Sequence, residues 1–402
     1  MKKAFKVLTA VALTGALAYV MVLRSPQIRN NVAVRDSIAY WAAGDLVIHH
    51  QNPYDHATVF RMEQEHGYKD PRPLILRTPP WSLFFVAPLG FLSPFWAWAA
   101  WIGLSLSCLL IGMRLCARMY AEEKPPNLFT IVGYTFAPVP ACLVSGQMGL
   151  VLMLGVVLFL WWEPNRPVLA GAALVIPFAK PHLLALFWLV FILWMVLRRK
   201  REVALGFLAA LTFATAIALV LDPNVFQHYR DMLHTASIGN EFIPALSGVL
   251  RLLFFRRMFW VQFVPLLAGL IWAVRFFARN ALSWDWRQHG PALLVVSVLT
   301  TPYEWLSDET VLLPAILQAA AFAYLARTSM KVRTKIALVF FGLLNILLLL
   351  ILKSKVPFST GIYFWSSLVW FFWYFSARKW HSRVSGSRAG IEAAALNSKS
   401  GH

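Results

Sequence analysis

Charged residues are scarce in this sequence, making up 14% of its 402 residues, against about a quarter in an ordinary soluble domain. A soluble chain of this length needs polar surfaces and polar linkers, but apolar runs recur here from residue 7 to residue 377. That excludes a soluble globular protein, and the same apolar richness excludes a disordered or fibrous one. Cysteine is nearly absent: Cys108, Cys116 and Cys142 sit inside apolar segments, at spacings that suit neither a disulfide framework nor a thiolate metal site. His49, His50, His56 and His66 lack ligand spacing as well, so no metal is expected. There is no phosphate-binding glycine loop, dinucleotide fingerprint, zinc-protease helix or nucleophile elbow, which removes the common soluble-enzyme classes. There is also no internal repeat.

What the chain has in quantity is apolar and aromatic surface. Hydrophobic residues reach 59% and aromatics 15%, with 18 Trp and 30 Phe, as suits helix ends placed in two membrane interfaces. A spanning helix takes about 20 apolar residues, fewer where neighbours shelter it. On that basis the sequence predicts an all-α polytopic membrane protein with about twelve transmembrane helices, at about residues 5–23, 95–117, 127–144, 147–162, 167–179, 181–197, 203–221, 258–278, 290–303, 309–326, 335–352 and 360–377. The first run follows Lys2, Lys3 and Lys6 but lacks a small-residue cleavage site, so it reads as a retained anchor.

The net charge of +19 invites a nucleic-acid reading, and the placement of the bases removes it. With the amino terminus inside, the cytoplasmic segments hold 23 basic residues against 6 acids, and the other side holds 13 against 12. That asymmetry is the positive-inside signal and a contact with anionic membrane lipids. Both termini are therefore expected in the cytoplasm. Residues 24–94 and 222–257 become noncytoplasmic excursions, neither of them a separate domain. The first carries helical apolar spacing at Ile38, Trp41, Ala42 and Leu46, which predicts a helix over 36–48 lying in the interface. Asn52-Pro53-Tyr54-Asp55 ends it as a turn, and Thr78-Pro79-Pro80 leads into 81–92, too short to span and expected as a partly inserted helix. One transmembrane domain, 1–380, is expected, with 381–402 as a disordered tail.

Polar groups at the noncytoplasmic ends of short, broken helices mark the functional candidates, because ionisable groups at membrane depth are costly unless used. Asp36 opens the first cluster, ahead of Tyr40 and Trp41; it either caps the helix or acts as a base. Gln147 lies at a tight turn after Gly146. Lys180-Pro181-His182 interrupts an apolar stretch on the side opposite the positive-inside loops, so topology does not explain the lysine, which suits a phosphate. His182 reads as a packing residue. The fourth cluster joins Asn240 through Arg251 with Glu304, Trp305, Asp308 and Glu309, where the carboxylates must be solvated, paired or used.

This ordered set resembles glycosyltransferase family 87, the polytopic C-type enzymes whose characterised members use polyprenol-phosphate mannose. The resemblance runs over about residues 5–325, on Asp36 and Tyr40, Gly44, Pro53-Tyr54, Pro79-Pro80, Gly146-Gln147 and Lys180-Pro181. It implies a C-type glycosyltransferase fold and a catalytic carboxylate in the first external loop, which maps onto Asp36. Two positions depart from the family pattern: Glu304-Trp305 followed by Asp308, where a Ser-Trp pair and a His are frequent, and Asn240-Glu241-Phe242-Ile243-Pro244 before Arg251.

The resemblance implies transfer of a hexosyl, in this family mannosyl, group from a polyprenyl-phosphate donor to a glycan or glycolipid acceptor, with inversion and without a cofactor. Asp36 is then the general base. Lys180, Arg251 and Gln147 hold the donor phosphate, and Tyr40, Tyr54, His182, Asn240, Glu304, Trp305 and Asp308 are candidates for sugar or acceptor contacts. A polytopic transporter or flippase of lipid-linked sugars is the alternative, disfavoured by the missing repeat and by polar groups gathered on one face.

Overall fold

The computed structural model describes residues 36–69, 71, 73–121, 127–235, 243, 245–326, 332–354 and 361–399. Among these, every regular element is a helix, as hydrocarbon requires of a chain that must satisfy its own backbone hydrogen bonds. Six helices are long and apolar enough to cross a membrane: Pro94–Tyr120, Asn127–Ser145, Arg201–Leu221, Phe259–Ser283, Asp308–Leu325 and Lys335–Lys353. A seventh results if the pair Pro167–Ala179 and Pro181–Leu197, bent by 118°, counts as one span.

The sequence predicts about twelve, and the difference has identifiable sources. The run 5–23 lies outside the described residues. The runs 167–179 and 181–197, taken as two passes, are the two halves of the bent pair. The runs 147–162 and 290–303 are the helices Gly149–Trp162 and Trp286–Thr300, of 14 and 15 residues and buried along most of their length. A helix sheltered by protein does not need the length that lipid demands. The last apolar run opens the helix Ser366–Lys399, which extends into the segment read from composition as a disordered tail.

Two compact units divide the chain, Met1–Ile102 with Ile217–Ala236, and Gly103–Ala216 with Ser237–His402. In the first, α1 (Ser37–Ile48) is buried at ten of its twelve positions. It is therefore packed on nearly every side, where its spacing predicts one face open to water, because small residues let neighbours close over that face. A Cβ on Gly44 would lie 2.3 Å from the Val86 carbonyl oxygen, and one on Gly90 2.4 Å from the Gly44 backbone. Glycine at both positions permits this backbone contact. The partner segment is a chain of short turns, Pro80–Ser82, Leu83–Val86 and Ala87–Phe91, and Trp41 Nε1 donates to the Leu92 carbonyl at 2.8 Å to hold it. Next, α2 (His56–Glu65) starts at Asp55, whose side chain accepts from the Ala57 amide.

In the second unit, α3 (Asn127–Thr135) and α4 (Pro138–Ser145) are two parts of one span. Their break is closed by Asn345 of α5 (Val332–Lys353), which accepts from the Ala137 amide at 2.9 Å and donates to the Thr135 carbonyl at 2.7 Å. One amide thus satisfies both backbone groups that the break exposes. Arg287 serves the end of the helix Gly149–Trp162, donating to the Leu160 and Trp161 carbonyls at 3.0 and 2.9 Å, where a cation also meets the negative end of the helix dipole.

Candidate functional site

Three distant stretches of the second unit meet at one lysine. The first is the turn after α4, where Gly146 takes a left-handed conformation (φ 71°) that glycine adopts without strain. It turns the chain so that Gln147 follows immediately. The second is the bend at Lys180, which lies between the short turns Pro177–Ala179 and Pro181–Leu184 with φ −131°. Pro181 disfavours helical geometry at the preceding residue, which is why the helix breaks there. The third is the turn that carries Asp308. Lys180 Nζ donates to Asp308 Oδ1 at 2.6 Å and to Gln147 Oε1 at 3.2 Å. Asp308 is fully buried, and the side chain of Lys180 is 11% exposed.

The geometry around this pair is tight. A Cβ on Gly149 would lie 2.3 Å from Thr310 Oγ1 and 2.4 Å from the Ser307 carbonyl oxygen, so the start of the helix Gly149–Trp162 rests directly on the Asp308 turn. The Trp305 amide donates to Asp308 Oδ2 at 3.2 Å, orienting the carboxylate towards the lysine. Sequence reasoning kept the Lys180 ammonium for a phosphate in preference to a structural carboxylate. The fold gives it a carboxylate, because a fully buried Asp308 needs a counter-charge.

The other predicted residues of this unit fall nearby or elsewhere. His182 follows Pro181; its carbonyl accepts from Thr301 Oγ1 at 3.1 Å, and its ring meets the Tyr303 ring edge-on at 5.5 Å. Trp305 Nε1 donates to the Tyr303 hydroxyl at 2.8 Å. Glu304 is buried. Glu309 accepts from Ser366 Oγ and from Trp370 Nε1, the latter at 2.7 Å. Arg251 is buried with its guanidinium over the Phe259 ring at 5.2 Å. Asn240 lies outside the described residues.

Asp36, Tyr40 and Tyr54 belong to the first unit. Asp36 stands at the N-terminus of α1 and is partly exposed, and its side chain makes no capping hydrogen bond. Of the two roles its sequence allows, the cap therefore has no hydrogen bond to carry it. Tyr40 is 5% exposed and packs against Trp101 at 4.9 Å. Tyr54 is 4% exposed, and its hydroxyl donates to the Thr78 carbonyl at 2.9 Å. Its amide closes an Asx turn onto Asn52 Oδ1 at 2.9 Å. Burial pushes the Tyr54 phenol well above its usual range, helped by the neighbouring Tyr229 and Asp222, so it remains a donor. Both rings, expected to face a sugar, are core residues.

Sequence reasoning passed over Glu63. It lies on α2, 0% exposed, with Oε2 accepting from the Leu74 amide at 3.1 Å. The available signal was its i, i+4 relation to Val59, the other buried residue of that helix. Among the described residues no three His, Cys, Asp or Glu side chains come together as a metal site.

The family model of glycosyltransferase family 87 matches residues 78–352, more than half of the chain. That stretch includes Gln147, Lys180, Arg251, Glu304, Trp305 and Asp308 and begins after Asp36, Tyr40 and Tyr54. No curated protein and no solved structure matches the chain.

Proposed function

The chain belongs to glycosyltransferase family 87 and so is a membrane glycosyltransferase, and from that premise we propose that it transfers a hexosyl, in particular a mannosyl, residue. The donor is a polyprenyl-phosphate sugar and the acceptor a glycan or glycolipid on the noncytoplasmic face. The observation that supports this reading is the lysine held at a helix break by Asp308 and Gln147, a cation fixed in place, as stabilisation of a departing phosphate requires. The transporter reading left open by the sequence has no observation in its favour.

The chemistry follows from a donor that is already activated. The acceptor O–H bond breaks with its proton passing to the Asp36 carboxylate, the acceptor oxygen bonds to the anomeric carbon, and the bond to the phosphate oxygen breaks with its electron pair leaving on the phosphate. A single displacement inverts the anomeric centre. Asp36 serves as general base, and Lys180 stabilises the departing phosphate, with Arg251 as a second cation. Asp308 holds the ammonium in place, as pre-organisation requires.

The test uses membranes bearing the full chain, radiolabelled polyprenol-phosphate mannose and candidate acceptors. Asp36→Asn is expected to insert normally and to lose at least about a hundredfold in transfer, the scale of a missing general base. Near wild-type turnover in that variant would return Asp36 to a structural role at the start of α1.

A further inference from the structure

The first unit contains a second acid whose burial has no structural explanation. Glu63 is 0% exposed, yet it lies on a helix whose sequence, His-Ala-Thr-Val-Phe-Arg-Met-Glu-Gln-Glu, has polar positions to spare on its outer face. One carboxyl oxygen accepts from the Leu74 amide. The other, Oε1, is buried without a hydrogen-bond partner among the described residues. A carboxylate so placed is poorly solvated, and a protonated carboxyl, with one fewer charge to satisfy, fits the site better. Helix α2 packs against α1, at whose N-terminus stands Asp36.

We propose that Glu63 is a positioning residue for the transfer reaction: it carries a proton at neutral pH, and its charge state sets the basicity of Asp36. This rests on the reading of Asp36 as the base. Burial pushes the Glu63 carboxyl up to about 8, with the Leu74 hydrogen bond opposing and the charge of Asp36 adding to it. The interaction is mutual, so a negative Glu63 raises the proton affinity of Asp36 as Asp36 raises that of Glu63. Among the described residues, Asp36 is the charged group whose field acts on Glu63. On α1, Asp45 pairs with His49 at 3.8 Å, and on the outer face of α2, Arg61 pairs with Glu65 at 4.0 Å. Arg77 and Asp55 act on His56.

Two variants test this. In the wild type, kcat is expected to step up by about twofold to fivefold as pH rises through about 8, because a stronger base abstracts the acceptor proton faster. Glu63→Gln keeps the shape and the acceptor for Leu74 but cannot ionise, so the step should vanish. Leu74→Pro keeps Glu63 and removes the amide that favours its charged form, so the step should move to higher pH. A stability readout runs in parallel. The folded protein holds on Glu63 a proton that the unfolded chain releases, so the stability this group contributes is full below about pH 4.5 and lost as pH rises through about 8. The melting temperature of Glu63→Gln should gain on wild type across that window. Profiles of Glu63→Gln and wild type that superimpose, or a step unmoved by Leu74→Pro, overturn the proposal. If Asp36→Asn remains active, the base assignment itself has failed; if Asp36→Asn is inactive while the profiles superimpose, only the role of Glu63 has.

Discussion

Lys180 and Asp308 are the residues whose pairing has the largest energetic consequence. With the carboxylate fully buried and the lysine side chain 11% exposed, removing either partner leaves a charge in a poorly polarisable interior, at a cost of about 3 to 5 kcal/mol. Lys180→Met is therefore expected to lower the melting temperature sharply in detergent. The double variant Lys180→Met, Asp308→Asn is expected to recover most of that loss, since the orphaned charge is gone, and yet still to bind the polyprenyl-phosphate donor weakly. Melting curves and donor-binding isotherms on the three proteins check this: full donor affinity in the stable double variant would remove Lys180 from the phosphate site. The break at Lys180-Pro181 and the glycine turn before Gln147 were legible in the sequence, because proline and glycine act locally. The identity of the partner was not, since Lys180 and Asp308 stand 128 positions apart and two more carboxylates flank Asp308 on the same turn.

At the scale of elements, backbone satisfaction and close approach decide the architecture. Asn345 sits in the middle of an apolar helix and closes the break between α3 and α4 with two hydrogen bonds. Asn345→Leu improves the hydropathy of α5 but strips a partner from an amide and a carbonyl, so we expect a loss of about 1 to 3 kcal/mol. Denaturant titration of the purified variant measures it, and unchanged stability would mean that neighbouring groups or water take over both bonds. In the first unit, Gly44→Ala drives a methyl group to 2.3 Å from the Val86 carbonyl and is expected to cost about 1 to 3 kcal/mol as the two segments part. Helical periodicity placed α1 correctly within a residue or so, but its surroundings were illegible. A helix with Ala42, Ala43 and Gly44 in succession presents little side-chain volume on that turn, and only the position of Gly90 reveals that a second backbone fills the space. Glu63 was hidden for the related reason that α2 is polar overall, so that its i, i+4 relation to Val59 is the one sign of which of the helix's two acids is buried.

For the whole molecule the open quantity is orientation, which the distribution of charge argues and the fold makes testable. Basic residues cluster in short segments such as 198–201 and 331–335, and chains are inserted so that such segments stay in the cytoplasm. From the excess on that side, 23 bases against 6 acids where the other side is nearly neutral, the loop containing Asp36 and Glu63 is expected outside. The structure also supplies a quiet background for labelling, because Cys108, Cys116 and Cys142 are all buried. A reporter at Gly67 would strain a backbone held at φ 96°, whereas Gln64, one helical position beyond Glu63, is exposed and replaceable at little cost. Gln64→Cys is expected to react with a membrane-impermeant maleimide in intact cells, before any permeabilisation. Arg199→Cys, in the basic turn, should react only once the membrane is opened. The reversed pattern would place the basic turns outside, against the charge rule, and would move Asp36 to the face where an acceptor presented from outside cannot reach it.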